Sequence, residues 1–336
     1  MPTPDLSCPS FPFSMRVHAL AGGVVLALSS LNAFAQAEAY PARAVRMIVG
    51  FTPGSATDVV ARMFAQKFTE AWGTTVAIDN VPGVGGAVGV QRLSKAAPDG
   101  YTLNFSGNGA LTILPTLQSK PLYDVHKDIV PIGMVLTMPS ILAVNNDIPV
   151  KTVQEFITYA RNPSRKLSFA SPGAGTPQHI AGELLKGLAG LDMAHVPYKG
   201  AVLTDVIGGR IAMTIQNTGA ILPMVRDGRL RGLAVTSLKR SPNIPDLPSI
   251  AESGFPGFEA VSWFALLAPT GTPAPIMSKV YQESQRVIAN ADMRTRFSQL
   301  GLDISGKTGE EVASIIRTDI DKWAKVIKDA GISMTD

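Results

Sequence analysis

Cysteine is almost absent from this chain: one in 336 residues, and it is Cys8, in the leader. Once the leader is removed, no thiol, disulfide or cysteine metal site remains. Charge is also scarce. Charged residues make up 17% of the chain and the net charge is +4, with Lys and Arg scattered. No basic run with interleaved aromatics occurs, which argues against a nucleic-acid partner. There is no G-x-S-x-G elbow. His126, His179 and His195 lack a second ligand at metal spacing, so no zinc site and no cofactor are expected.

The leader is legible. From Met15, Arg16 gives a positive n-region, Ala19–Leu28 an apolar h-region and Ala33-Phe34-Ala35 a cleavage site. The apolar run is shorter than the ~20 residues that span a bilayer. Residues 1–35 therefore read as a signal peptide cleaved after Ala35. A periplasmic, cysteine-free mature chain follows.

What is present in quantity is hydrophobic sequence, 46% of residues, enough for two globular domains. One pattern occurs twice. Pro53-Gly54-Ser55-Ala56-Thr57 follows the apolar run Val45–Phe51, and Pro172-Gly173-Ala174-Gly175-Thr176 follows Leu167–Ala170. Each opens into a helical stripe. A strand, a small-residue turn and a helix start can hold an anion through backbone N–H groups and the helix dipole. Two such turns predict two lobes sharing one ligand.

Ser55 and Asp58 have capping-box spacing. Asp58 is expected to point back at its own helix, leaving the N–H groups of Ser55, Ala56 and Thr57 for a carboxylate. In the second turn Thr176 is the N-cap and Pro177 takes N1. The donors left belong to Gly173–Thr176 and Gln178. His179 sits within reach of a ligand, with capping or packing as the plainer role. The expected ligand set also takes in Phe51, Ser171, Ser106 and Asn108 near the end of the strand Tyr101–Ser106, Tyr198 beside Lys199, and Asn217 after the strand Ile211–Ile215. Gly83-Val84-Gly85-Gly86-Ala87-Val88-Gly89 resembles a dinucleotide loop, but its spacing is G-x-G-x-x-x-G rather than G-x-G-x-x-G and it follows the second strand.

Strands and helices alternate throughout, which predicts parallel sheets covered by helices. The fold class is α/β, with two doubly wound lobes and a ligand cleft between them. Lobe one is taken as 38–140 plus 264–336, and lobe two as 141–263. Crossings near Leu136–Asn145 and Phe258–Leu267 are the expected hinges. Two helices are expected at the C-terminus, over Ala274–Ala289 and Gly309–Ala330. A secreted hydrolase is the rival reading, and a surface adhesion module a third. The hydrolase would need a nucleophile with a base in reach.

Several segments together resemble the periplasmic solute receptors of tripartite tricarboxylate transporters, the Bug family. They are Tyr40-Pro41, Phe51–Asp58, Asp79–Gly83 with Gly85-Gly86, Pro98–Leu103, Ser171–Gly175 with His179, Gly182-Glu183, Pro197–Gly200, Gly208-Gly209 and Asp246–Pro248. The resemblance implies a type II periplasmic-binding-protein-like fold that closes over a small organic anion, usually a carboxylate. It implies ligand loops at Pro53–Asp58 and Ser171–Gln178, a two-component membrane permease as partner, and no catalysis. The receptor is expected to be a monomer. Two departures stand out: Ser55-Ala56 where the family usually has glycines, and Thr176-Pro177-Gln178 where it usually has serines. Both crowd the pocket and alter its donors.

Overall fold

The structure, a computed structural model, describes residues 40–118, 120–198 and 202–332. The signal-peptide residues, Cys8 and Lys199 lie outside the described residues.

Strand β1 (Val45–Val49) is buried at four of its five positions, as its unbroken apolar run predicts. It lies between β2 (Val76–Asn80) and β3 (Thr102–Gly107), parallel to both. Two further strands, β4 (Ile129–Met138) and β10 (Ser262–Pro269), join with β11 (Asp303–Thr308) to give the order β11-β4-β10-β3-β1-β2. The second sheet contains β5 (Ser140–Val144), β6 (Ser168–Ser171), β7 (Ala194–Pro197), β8 (Met213–Asn217) and β9 (Arg231–Val235), in the order β7-β6-β8-β5-β9.

The two orders repeat one plan. In each sheet three parallel strands come first, and then an antiparallel strand brought in by a chain crossing. Alternation alone predicts parallel strands; β10 and β5 run antiparallel because they are the strands on which the chain enters a sheet from the other one. The chain leaves the first sheet after Met138 and starts the second at Ser140. It returns between Val235 and Ser262. The stretch Ile132–Val144, which reads as one strand, is therefore two strands divided between two sheets at Pro139.

The helices that carry the repeated turns follow their sequence signals. Ala56–Trp72 starts at the N-cap Ser55 and stops at Gly73 in the left-handed conformation. Its Val60, Phe64 and Phe68 are buried, and Phe64 stacks on Phe297 at 5.8 Å. Pro177–Ala189 starts at Thr176 with Pro177 at N1 and ends at Gly190. Its Ile180, Ala181 and Leu185 are buried, whereas Leu188, whose spacing puts it on the same apolar stripe, is exposed. Each such aromatic or leucine, where buried, adds ~1.5–3 kcal/mol.

The C-terminus differs from the two helices expected. A third helix, Ala291–Gln299, follows Ala274–Ala289, and β11 intervenes before Gly309–Asp329. β11 is an edge strand of sequence Asp-Ile-Ser-Gly-Lys-Thr, too polar to read as a strand. The last helix begins with a Thr308–Glu311 capping box. Its Val312 and Ile316 lie in the core of the first sheet, and its Trp323 and Ile327 in the core beside the second.

Candidate functional site

A cavity of about 380 Å³ opens where the two repeated turns meet residues of both sheets. From the first sheet it takes Phe51, Ala56, Thr57, Val84, Gly85, Asn108, Leu114, Met138, Ser262, Trp263 and Phe264. From the second it takes Ala174, Gly175, Thr176, Pro177, Gln178 and Asn217. Its size suits a small organic molecule.

The first turn is held by a carboxylate. Asp58 is 1% exposed. Its Oδ2 accepts from Gly54 N–H at 2.9 Å and from Arg62 Nε at 2.8 Å, and its Oδ1 accepts from Asn80 Nδ2 at 2.8 Å. Burial pushes the carboxyl pKa up, but hydrogen bonds from Arg62, Asn80 and Gly54 and the Arg62 charge outweigh it and hold it below its ordinary value. Asp58 thus points back into its own loop and away from the cavity. Ser55 N–H bonds Thr52 O at 3.2 Å, and Asp58 N–H bonds Ser55 Oγ at 3.3 Å. Of the helix's orphan donors, the N–H groups of Ala56 and Thr57 have no partner among the described residues.

The second turn is held by imidazoles. Gly175 N–H donates to His179 Nδ1 at 3.0 Å. The His179 ring stacks on His195 with centroids 3.7 Å apart. Ser171 Oγ donates to Gly173 O at 3.0 Å and accepts from Gly173 N–H at 3.2 Å, so His195 Nε2 donates to it, at 2.7 Å. Burial lowers the His179 pKa to about 3, with the neighbouring His195 and Lys186 acting in the same direction. Burial and Lys186 lower His195 to about 4. Both rings are neutral at pH 7. Thr176 N–H turns back to Gly173 O and His179 N–H to Thr176 Oγ1. Ala174 and Gln178 keep unspent N–H groups among the described residues.

Nine residues of the expected ligand set line the cavity: Phe51, Ala56, Thr57, Asn108, Ala174, Gly175, Thr176, Gln178 and Asn217. The others are placed differently. Pro53, Gly54, Ser55, Pro172 and Gly173 build the turns behind it. Asp58, Ser171 and His179 are the buried locks just described. Ser106 is buried in β3, opposite Ala265 of β10. Tyr198 donates its hydroxyl to Asp205 at 2.6 Å. A hydrolase would need His195 to take the Ser171 proton, but that proton goes to Gly173 O, Ser171 is fully buried and neither residue lines the cavity.

Sequence reasoning missed the lining at Val84, Ala110, Leu114 and Met138. Met138 ends a strand at the crossing, a position that could have marked it. Val84 belongs to the glycine-rich turn that resembled a dinucleotide loop. The glycines there serve close packing: a Cβ on Gly89 would meet Gly50 Cα at 2.8 Å, and one on Gly86 would meet the Phe51 ring at 3.1 Å.

The sequence profile of the tripartite tricarboxylate transporter family receptor matches residues 60–332. The chain belongs to that family. Protein BugT of Bordetella pertussis is 32% identical over 319 residues, covering 93% of this chain and 97% of BugT. Among solved structures, an R. palustris protein with adipate superposes with a TM-score of 0.75 at 33% identity, covering 88% of this chain and 99% of its own. MatC of Rhodopseudomonas palustris with bound malate gives a TM-score of 0.71 at 30% identity, covering 86% of this chain and 100% of its own. The two-sheet plan is shared with these related structures. No helix among the described residues is long and apolar enough to cross a membrane.

Proposed function

We propose that this chain is an exported receptor that captures a small carboxylate between two lobes and delivers it to a two-component membrane permease. The lobes divide where the chain crosses between the sheets, at Pro139 and between Val235 and Ser262. The protein acts in the periplasm, after cleavage behind Ala35.

One observation carries the reading. Each repeated turn spends its other donors internally and leaves two N–H groups at one cavity: Ala56 and Thr57 on one side, Ala174 and Gln178 on the other. Both pairs stand at or beside a helix N-terminus, which carries roughly half a positive charge. Backbone donors fixed in this way suit carboxylate oxygens and need no arginine. The adipate and malate bound in the two related structures support an acid as ligand.

The hydrolase reading would draw on Ser171 and His195. The Ser171 hydroxyl is occupied by Gly173 and out of the cavity, so the pair works as a lock on the turn, which favours a binding role over the hydrolase reading.

A thermal-shift screen of carboxylic acids tests the receptor reading. A ligand at 100 times its Kd stabilises by about 2.7 kcal/mol, which raises the melting temperature by several degrees. Failure of every acid in a broad panel to shift the transition would sink the proposal.

A further inference from the structure

We infer that the cavity selects acids whose body is apolar, and that it rejects acids bearing hydroxyl or ammonium groups along that body. This rests on the receptor reading above and names its substrate class.

The body of the ligand would meet Phe51, Val84, Leu114, Met138, Trp263 and Phe264, all supplied by the first sheet's side of the cavity. None of the described lining residues is charged. The polar groups that could have served a hydroxyl are partly spent elsewhere. Trp263 Nε1 donates to Asp319 Oδ2 at 3.3 Å on the C-terminal helix, so the indole offers only hydrocarbon to the ligand. Asn108 Nδ2 donates to Val261 O at 3.0 Å. Asn217 Oδ1 already accepts from Gln178 Nε2 at 2.5 Å and from Ser140 Oγ at 3.2 Å.

Val84 is the second, independent observation. Its φ is +43°, left-handed backbone in which a β-branched residue is strained. Glycine or asparagine would occupy the position with less strain. The chain keeps a valine there, 42% exposed, on the wall of the cavity. Strain retained at such a place marks a functional requirement, and the property valine adds over glycine or asparagine is an apolar surface.

The chemistry follows. A methylene chain or ring gains by leaving water for these walls. A hydroxyl held against these apolar walls would lose water hydrogen bonds that the six side chains cannot replace. An ammonium would find no counter-charge, because Asp58 is committed to Arg62, Asn80 and Gly54.

The test is calorimetric titration with matched series. Adipate is compared with derivatives carrying a hydroxyl or an amino group at mid-chain, and phenylacetate with its ring-hydroxylated derivative. In whichever series binds, the unsubstituted acid should bind at least ~10-fold more tightly than each substituted one. The two series also tell a chain from a ring. A ratio below tenfold, with acids binding, overturns the selectivity and leaves the receptor reading standing. No binding in either series, together with a blank thermal-shift screen, brings down both. Val84→Asn is the companion variant. It should melt no lower than the parent and narrow the ratio at least ~3-fold by placing an amide in the wall. An unchanged ratio would count against the wall.

Discussion

The two ligand turns do the same work with different chemistry. In the first, an ionised carboxylate gathers Gly54, Arg62 and Asn80. In the second, a stacked pair of neutral imidazoles holds Gly175 and, through Ser171, Gly173. Both arrangements end with two unspent N–H groups at the cavity. The shared property is thus the donors left over, and the means of fixing the turn is free to vary. A charged lock and a neutral lock should, however, break under different conditions.

The largest effect is expected at Asp58. Asp58→Ala removes three hydrogen bonds to a charged acceptor and leaves Asn80 and Arg62 without it. Chemical denaturation should show a loss of about 2–4 kcal/mol, with ligand affinity falling as the turn loosens. The lowered pKa makes this contribution whole above the ordinary carboxylate range. It is lost only as pH falls through the depressed folded value. A variant as stable as the parent at pH 7 would show that the carboxylate does not lock the turn.

His179→Ala should cost less, about 1–3 kcal/mol, for the unpaired Gly175 N–H and the lost stack. Its pH signature is different. The unfolded chain takes up protons at its histidines near 6.5, whereas the folded chain waits until about 4 at His195 and about 3 at His179. Stability therefore declines as pH falls from about 6.5 through that window. Melting curves at several pH values should show a shallower decline in the variant. Parallel curves would remove His179 from the account.

Gly173→Val should have the smallest effect on the fold and a local effect on binding. Gly173 has φ +150°, and the atoms nearest a Cβ there are 3.8 Å away. The cost is conformational rather than steric, about 1–2 kcal/mol, and should appear as weaker binding with the circular dichroism spectrum unchanged. Binding at parental strength would mean that the turn does not shape the site.

The comparison also shows what could be read in advance. Both turns were legible because Pro-Gly, a helix cap and an apolar stripe are local signals: Ser55, Thr176 and Pro177 stand where capping rules put them. Asp58 was legible too, since it lies within four residues of Gly54 and Arg62. The second lock was not. His195 comes from β7 and meets His179 only when β6 and β7 pair. Non-local pairing likewise hid part of the apolar wall. Met138 and Phe264 lie far from the turns in sequence and reach the cavity because β4 and β10 carry the chain across between the sheets. Cleft residues expected from proximity in sequence, such as Ser106 and Tyr198, were drawn into strand packing and into a bond with Asp205.

The central claim is that the two turns hold a carboxylate through N–H groups left unspent. The most direct test is calorimetry of one acid, found by screening, against its primary amide at a single ionic strength. Charge-assisted hydrogen bonds are about twice as strong as neutral ones, and losing the charge at a desolvated site should cost ~1.5 kcal/mol or more. The account predicts that the acid binds at least ~10-fold more tightly than the amide. Equal affinities would mean that the turns hold something other than an anion.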